Sequence, residues 1–273
     1  GNGGSMKQFE VPYNLDPEYP EKLLQRPALI PYIDCIYAAA WKDDCENTRF
    51  DITYRDNYPK SYEEYVSRIK ALLALGIPVC ILAQKKANIT MIRKYRSLGI
   101  HQFILNDDKL AARIKQEYPE VRLTLSITRA LTLEELQTGD FSMYDRIVLF
   151  HWFARHLDAL SQLPAGHQYT MIANSACFHD CKWHDAHWFL HPDNPEAYSK
   201  ESESICASCT ALLAKGKQQS AYIEPEDLGY FDPYVSCYKL VDRYDDTDVI
   251  FNNLYSYATR TGSGGKPREY YNL

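Results

Sequence analysis

The sequence predicts an α/β protein folded as a (β/α)8 barrel of TIM type, irregular in its closure. Three observations carry that expectation. Short apolar runs alternate with capped helical stretches of roughly 10–15 residues, the pattern of βαβ units and a parallel sheet. About eight such runs can be counted, the number that closes a barrel. The chain of 273 residues is long enough to bury one large core. An open doubly wound sheet is the alternative architecture.

Residues 6–27 are polar and carry Pro12, Pro20 and Pro27. They read as an irregular arm with one short helix at 21–25. Residues 32–39 (YIDCIYAA) form a first strand. Residues 49–54 (RFDITY) form a second, after a loop with Trp41 and Cys45. No helix is evident between these two, hence the expected irregularity. Ser61 and Glu64 then make a capping box, and Tyr62, Tyr65, Val66, Ile69, Leu72 and Leu73 follow at helical spacing until Gly76. Residues 79–83 are a strand. Asn88 caps a helix that Gly99 closes. Residues 103–105 are a strand, followed by a helix capped by Asp107 or Asp108 and ended before Pro119. Residues 121–127 alternate as a strand, and Thr132 with Glu135 makes a second capping box. Strands at 146–150 and 169–173 flank a helix near 156–163, and residues 238–241 supply the last strand.

Residues 1–5 read as a cloning remnant before Met6, residues 6–260 as a single barrel domain, and residues 261–273 as a tail of flexible composition. Apolar residues make up 45% and charged residues 24%, as in ordinary globular proteins. The net charge of −6 argues against non-specific nucleic-acid binding. No apolar run reaches membrane-span length and no signal peptide is visible, so the expected compartment is the cytoplasm. No glycine-rich phosphate loop occurs, which leaves a nucleotide site without support.

In a reducing compartment the eight cysteines read as metal-binding or catalytic rather than as disulfides. Four fall in residues 174–209: Cys177 and Cys181, then Cys206 and Cys209. Two close thiol pairs joined by a longer link suit a four-coordinate metal or an iron–sulfur cluster, because each pair closes a small loop at little entropic cost. Zinc and a 4Fe–4S cluster are equally compatible with the spacing. Cys237, at the start of the last strand, competes as a ligand. Cys35, Cys45 and Cys80 read as core or incidental residues. The segment directly follows strand 169–173, and in parallel α/β folds the carboxyl ends of strands gather the chemistry on one face. Residues 192–204 read as a non-helical insertion covering that face. A radical-SAM triplet is not completed, since His184 stands where a third cysteine belongs.

The run N-x-x-C-x3-C at Asn174, Cys177 and Cys181, then His187, the later cysteine pair, YIEPEDLGYF at 222–231 and YKLVDR at 238–243 together resemble the U32 peptidase-like family. The match covers about the last quarter of the chain, and Asp242 replaces a glycine of the family pattern. The resemblance implies a barrel carrying a 4Fe–4S cluster. It also implies oxygen-independent hydroxylation of a small molecule, peptide or RNA, with peptidase activity as the alternative. A non-catalytic accessory protein with a structural cluster or zinc is a third reading. A partner subunit or electron donor goes with the redox reading. His187 is the candidate acid–base group, with His184 beside it. Lys239 and Arg243 lie four residues apart on one strand face and could clamp a carboxylate or phosphate, or simply form an interior ion pair. His151 and Arg155 are weaker candidates for the same mouth. Glu226 and Asp227 after Pro225 read as a helix start.

Overall fold

The computed structural model describes residues 6–46, 52–53, 55–262 and 264–273. Eight parallel strands close into one barrel in sequence order. They are β1 (Gln8–Pro12), β2 (Ile33–Ala39), β3 (Val79–Ala83), β4 (Gln102–Leu105), β5 (Arg122–Leu125), β6 (Arg146–Val148), β7 (Gln168–Ile172) and β8 (Cys237–Lys239). The helices are α1 (Tyr19–Leu24), α2 (Tyr62–Leu73), α3 (Ile89–Leu98), α4 (Asp108–Glu117), α5 (Leu133–Thr138), α6 (His184–Phe189), α7 (Pro195–Leu213) and α8 (Thr247–Thr259). Among the described residues no helix is long and apolar enough to cross a membrane.

Local chemistry sets the helix ends as the sequence foretold. Ser61 Oγ accepts from Glu64 N, Asn88 Oδ1 from Met91 N and Asp107 Oδ1 from Leu110 N. Thr132 and Glu135 close a reciprocal capping box. Gly99 ends α3 at φ 102°, a conformation only glycine adopts cheaply.

Four expectations are corrected. The first strand is β1, within the stretch read as an irregular arm. Its prolines flank or end the strand, while Phe9 and Val11 pack into the outer core and Glu10 lies buried between them. Residues 49–51 and 54 lie outside the described residues, and Ile52 and Thr53 belong to a helical turn rather than a strand. Residues 156–163 form a 3-10 turn, Leu157–Gln162, in place of an α-helix. The supposed non-helical insertion is mostly α7, capped by Asn194 accepting from Ala197 N at 2.8 Å, with Pro195 in its first turn. Pro at the first helical position costs no hydrogen bond, and this outweighed the polar composition.

The tail is tied down. Glu226 and Asp227 sit in the 3-10 turn Pro225–Tyr230. They accept from Gly264 N at 3.1 Å and Lys266 N at 2.9 Å, and Tyr271, fully buried, donates its hydroxyl to Asp227. Leu273 N reaches Arg155 O at 2.8 Å. Arg155 is buried under Tyr270 and Tyr271 and donates to the carbonyls of Gln218 and Tyr222. It is therefore a brace for the tail rather than a mouth residue.

Each strand buries both faces, but differently. The outer faces form one large apolar core with the helices. The interior is unusually polar for a barrel, where branched aliphatic layers are the rule. Cys35, Tyr37, Cys80, Leu82 and Ile104 form a separate buried cluster, beside buried Glu10, Thr124, Arg146, Thr170 and Lys239. At the amino end Asp34 joins two strands. Arg146 donates twice to its carboxylate, at 2.7 and 2.9 Å, and Arg122 donates at 2.9 Å. Burial pushes the Asp34 carboxyl up, but the hydrogen bonds and charges of Arg146 and Arg122 win and hold it below the usual carboxylate range.

Candidate active site at the barrel mouth

The carboxyl end of β7 leads directly into the cysteine segment. Asn174 clamps that end to β8: Val241 N donates to its Oδ1 at 2.9 Å. Cys177 N donates to Ser175 Oγ at 3.2 Å, Ala221 N to Cys177 O at 2.8 Å and His179 N to Gln219 O at 3.0 Å. These bonds fix the first cysteine turn against residues 219–221.

From there α6 reaches across the mouth. His184 packs edge-on to Phe150, just past β6, at 5.2 Å. Lys85, just past β3, sets its ammonium over the Trp188 ring at 5.1 Å. His191 stands 3.7 Å from Glu46, beyond β2. The covering role expected for 192–204 thus falls mainly to α6, with α7 behind it.

On this segment Cys181 lies within electrostatic reach of Cys177, Cys206 and Cys209. Cys177 is exposed, Cys181 and Cys206 are half-buried and Cys209 is buried. Burial pushes the Cys181 thiol up to about 11, opposed by a backbone hydrogen bond from Trp183 and aided by the charges of Cys209, Cys177 and Cys206. Crowded thiols resist ionising together, and a cation placed among them removes that resistance. His187 Nε2 lies 3.3 Å from Cys206 Sγ, and His184 Nδ1 lies 3.2 Å from Cys181 O. Among the described residues no three His, Cys, Asp or Glu side chains are drawn into a metal-holding group. The fit to a metal centre therefore rests on the donor chemistry, four soft thiols on one segment with Cys181 under the influence of the other three and His187 beside Cys206.

Cys237 is not brought to this group. It begins β8, and its thiol donates to Gln8 O and Tyr238 O, both at 3.3 Å. It belongs to the amino end of the barrel, because the first residue of a parallel strand lies at the end opposite the mouth. Lys239 and Arg243 are both buried at the other end of β8. Lys239 Nζ lies 4.3 Å from the centroid of Tyr37, whose hydroxyl donates to Leu240 O at 2.6 Å. Burial pushes the Lys239 amine down, opposed by Glu10 and helped by Arg243. Of the expected clamp, Lys239 is thus an amine whose proton affinity is lowered by burial.

Sequence reasoning missed one interior group beneath Lys239. Glu10 stands opposite Lys239 in the β1–β8 register. Cys35 donates to Glu10 Oε1 at 3.9 Å. The Cys80 hydrogen bond and then burial push the Cys35 thiol well above its ordinary value. Cys35 and Cys80 are the core residues the sequence suggested; Glu10 was missed because β1 was not recognised as a strand.

His151, just past β6, is held down to about 4 by burial. An unfolded histidine titrates near 6.5. Between those values the unfolded chain binds the extra proton, so stability falls as pH drops through that window and levels off below it. At 1.36 kcal/mol per unit the swing is on the order of 3 kcal/mol. His151→Gln is expected to flatten that part of the stability profile. Urea midpoints at about pH 7 and about pH 4.5 measure it, and an unchanged slope assigns the titration to another group.

No protein-family model matches the chain, and no curated protein matches it. Solved structures do match. The U32 peptidase Mk0906 is similar at 13% identity and a TM-score of 0.44, covering 89% of this chain and 95% of that one. A conserved Enterococcus faecalis protein of unknown function has 12% identity and a TM-score of 0.44, covering 93% of this chain and 66% of that one. A GH113 β-1,4-mannanase has 10% identity and a TM-score of 0.44, covering 94% and 99%.

Proposed function

We propose that this chain is a barrel enzyme whose mouth carries a thiolate-bound metal centre, a 4Fe–4S cluster, held by Cys177, Cys181, Cys206 and Cys209. The observation behind this reading is the gathering of four thiols on the segment that crosses the carboxyl ends of the strands, where barrel enzymes place their chemistry. When bound, such a cluster supplies one-electron transfer at a potential set by burial and hydrogen bonding. The reaction class we favour is redox modification without dioxygen, hydroxylation in particular.

The chain's own groups have separable tasks. His187 orients Cys206 and can carry a proton at Nε2, 3.3 Å from the thiol. Arg243 holds an anionic substrate group at the mouth by charge-assisted hydrogen bonds. Trp188 on Lys85 and His191 near Glu46 hold α6 across the opening and exclude water. We favour a small substrate, with a partner that delivers electrons.

The Cys206–His187 contact favours one second reading. A thiol within reach of an imidazole is also the dyad of a cysteine hydrolase, and it excludes ligation by Cys206. One purification separates the two. Protein prepared without oxygen is expected to be brown and to contain iron and acid-labile sulfide in near-equal amounts. A colourless protein with stoichiometric zinc replaces the redox reading by a structural one. Metal-free protein that cleaves peptides, and loses that activity in Cys206→Ala, establishes the hydrolase.

A further inference from the structure

The barrel interior carries chemistry that the cysteine segment does not use. Lys239 enters it from β8 at the catalytic end, buried to 7% exposure. Its ammonium position is set by the face of Tyr37, and Tyr37 is itself pinned across the barrel to Leu240 O. Among the described residues Lys239 forms no salt bridge. Glu10, the register neighbour of Lys239, is 1% exposed. Among the described residues its Oε2 makes no hydrogen bond, and Arg146 Nη1 lies 3.9 Å away. A buried carboxylate oxygen without a hydrogen-bond partner is costly unless it serves a bound molecule or a proton transfer. Arg243 is close enough for its charge to act on Lys239.

We propose that Lys239 is a carbonyl-capturing amine that forms an imine with a small 2-oxo acid, whose carboxylate Arg243 receives. The Nζ lone pair attacks the carbonyl carbon and a C–N bond forms. The carbonyl π pair moves to oxygen, and Glu10 relays one of the two nitrogen protons to it, giving the neutral carbinolamine. Glu10 then takes the remaining nitrogen proton and returns it to the departing hydroxyl, which leaves as water as the C=N bond forms. The sum is amine plus carbonyl giving imine plus water, with no change in oxidation state and no co-reactant. Burial and the neighbouring guanidinium both favour the uncharged, nucleophilic amine. This inference shares Arg243 with the proposed redox site but needs none of the groups of the cysteine segment.

Borohydride trapping tests it on the protein as purified. Incubation with pyruvate and sodium borohydride, followed by peptide mass mapping, is expected to give one reduced adduct, on Lys239. Lys239→Arg is expected to abolish it. Because the adduct is mapped on the unaltered protein, the test survives even if that variant folds poorly. Arg243→Gln is expected to raise the pyruvate concentration for half-labelling about tenfold or more, the size of one charge-assisted hydrogen bond. Labelling by propanal, which has no carboxylate and loses only the guanidinium's help in keeping the amine uncharged, is expected to change much less. Adducts spread over surface lysines, or none on Lys239, overturn the proposal. An equal effect of Arg243→Gln on both carbonyls overturns the 2-oxo acid assignment. Iron content plays no part in the readout, so a colourless protein can still pass this test and a brown one can still fail it.

Discussion

Cys181→Ala, purified without oxygen, is expected to emerge from gel filtration without retained iron and without visible absorption. Cys181 is the thiol on which the other three act electrostatically, so its loss opens the donor set from within. Cys177→Ala, at the exposed edge, is expected to lose its metal as well, but to bind iron again on reconstitution more readily than Cys181→Ala. His187→Ala keeps all four thiols and removes only the imidazole at Cys206. Metal affinity is then expected to fall by about 10–100-fold, as when a group supporting a ligand is deleted. Cys237→Ala is the internal control. Its thiol is bonded at the amino end of the barrel, and its iron content is expected to match the parent. Metal loss in Cys237→Ala with retention in Cys209→Ala would reverse the assignment of the fourth ligand.

Asp34→Ala is expected to lower stability by about 3–5 kcal/mol, the range for removing one partner of a buried ion pair. The carboxylate sits between Arg146 and Arg122, and truncation leaves two guanidiniums facing each other inside the sheet. Asp34→Asn keeps one acceptor oxygen and is expected to cost less. The sign of the pH dependence follows from the depressed carboxyl. The contribution is full above the unfolded value and disappears as pH falls through the lower folded value. Guanidinium or urea midpoints at constant m measure the loss. Combining Asp34→Ala with Arg146→Met is expected to recover part of it, since the second change removes a stranded charge. A cost under about 1 kcal/mol would equate this triad with an exposed pair.

Much of the fold was legible because local rules governed it. The caps at Ser61, Asn88, Asp107 and Thr132 are short-range hydrogen bonds, so four residues of sequence suffice to announce each. The runs around 79–83, 103–105 and 169–173 are buried on both faces, and continuous apolar runs read as parallel strands. β1 failed this reading because its evidence is non-local. QFEVP becomes a strand by filling the gap between β2 and β8, and nothing in its immediate neighbours says that such a gap exists. The 192–204 segment failed for the opposite reason. One asparagine–proline start outweighed a polar composition, and α7 is held by its cap more than by an apolar face.

The site divides in the same way. Sequence alone determined that four thiols with a nearby histidine lie on one segment after a late strand, because covalent spacing limits how far they can separate. It also put Lys239 and Arg243 on one strand face, which the structure corrects: β8 ends at Lys239, and the chain turns through Asp242 at φ 85° before Arg243. Only the tertiary structure decided that Cys237 lies at the opposite end from the mouth, that His187 meets Cys206, and that Glu10, Cys35 and Cys80 share the interior with Lys239. Those relations join strands distant in sequence. Closure of the barrel sets them, through a register and a direction along each strand that no local stretch of chain encodes.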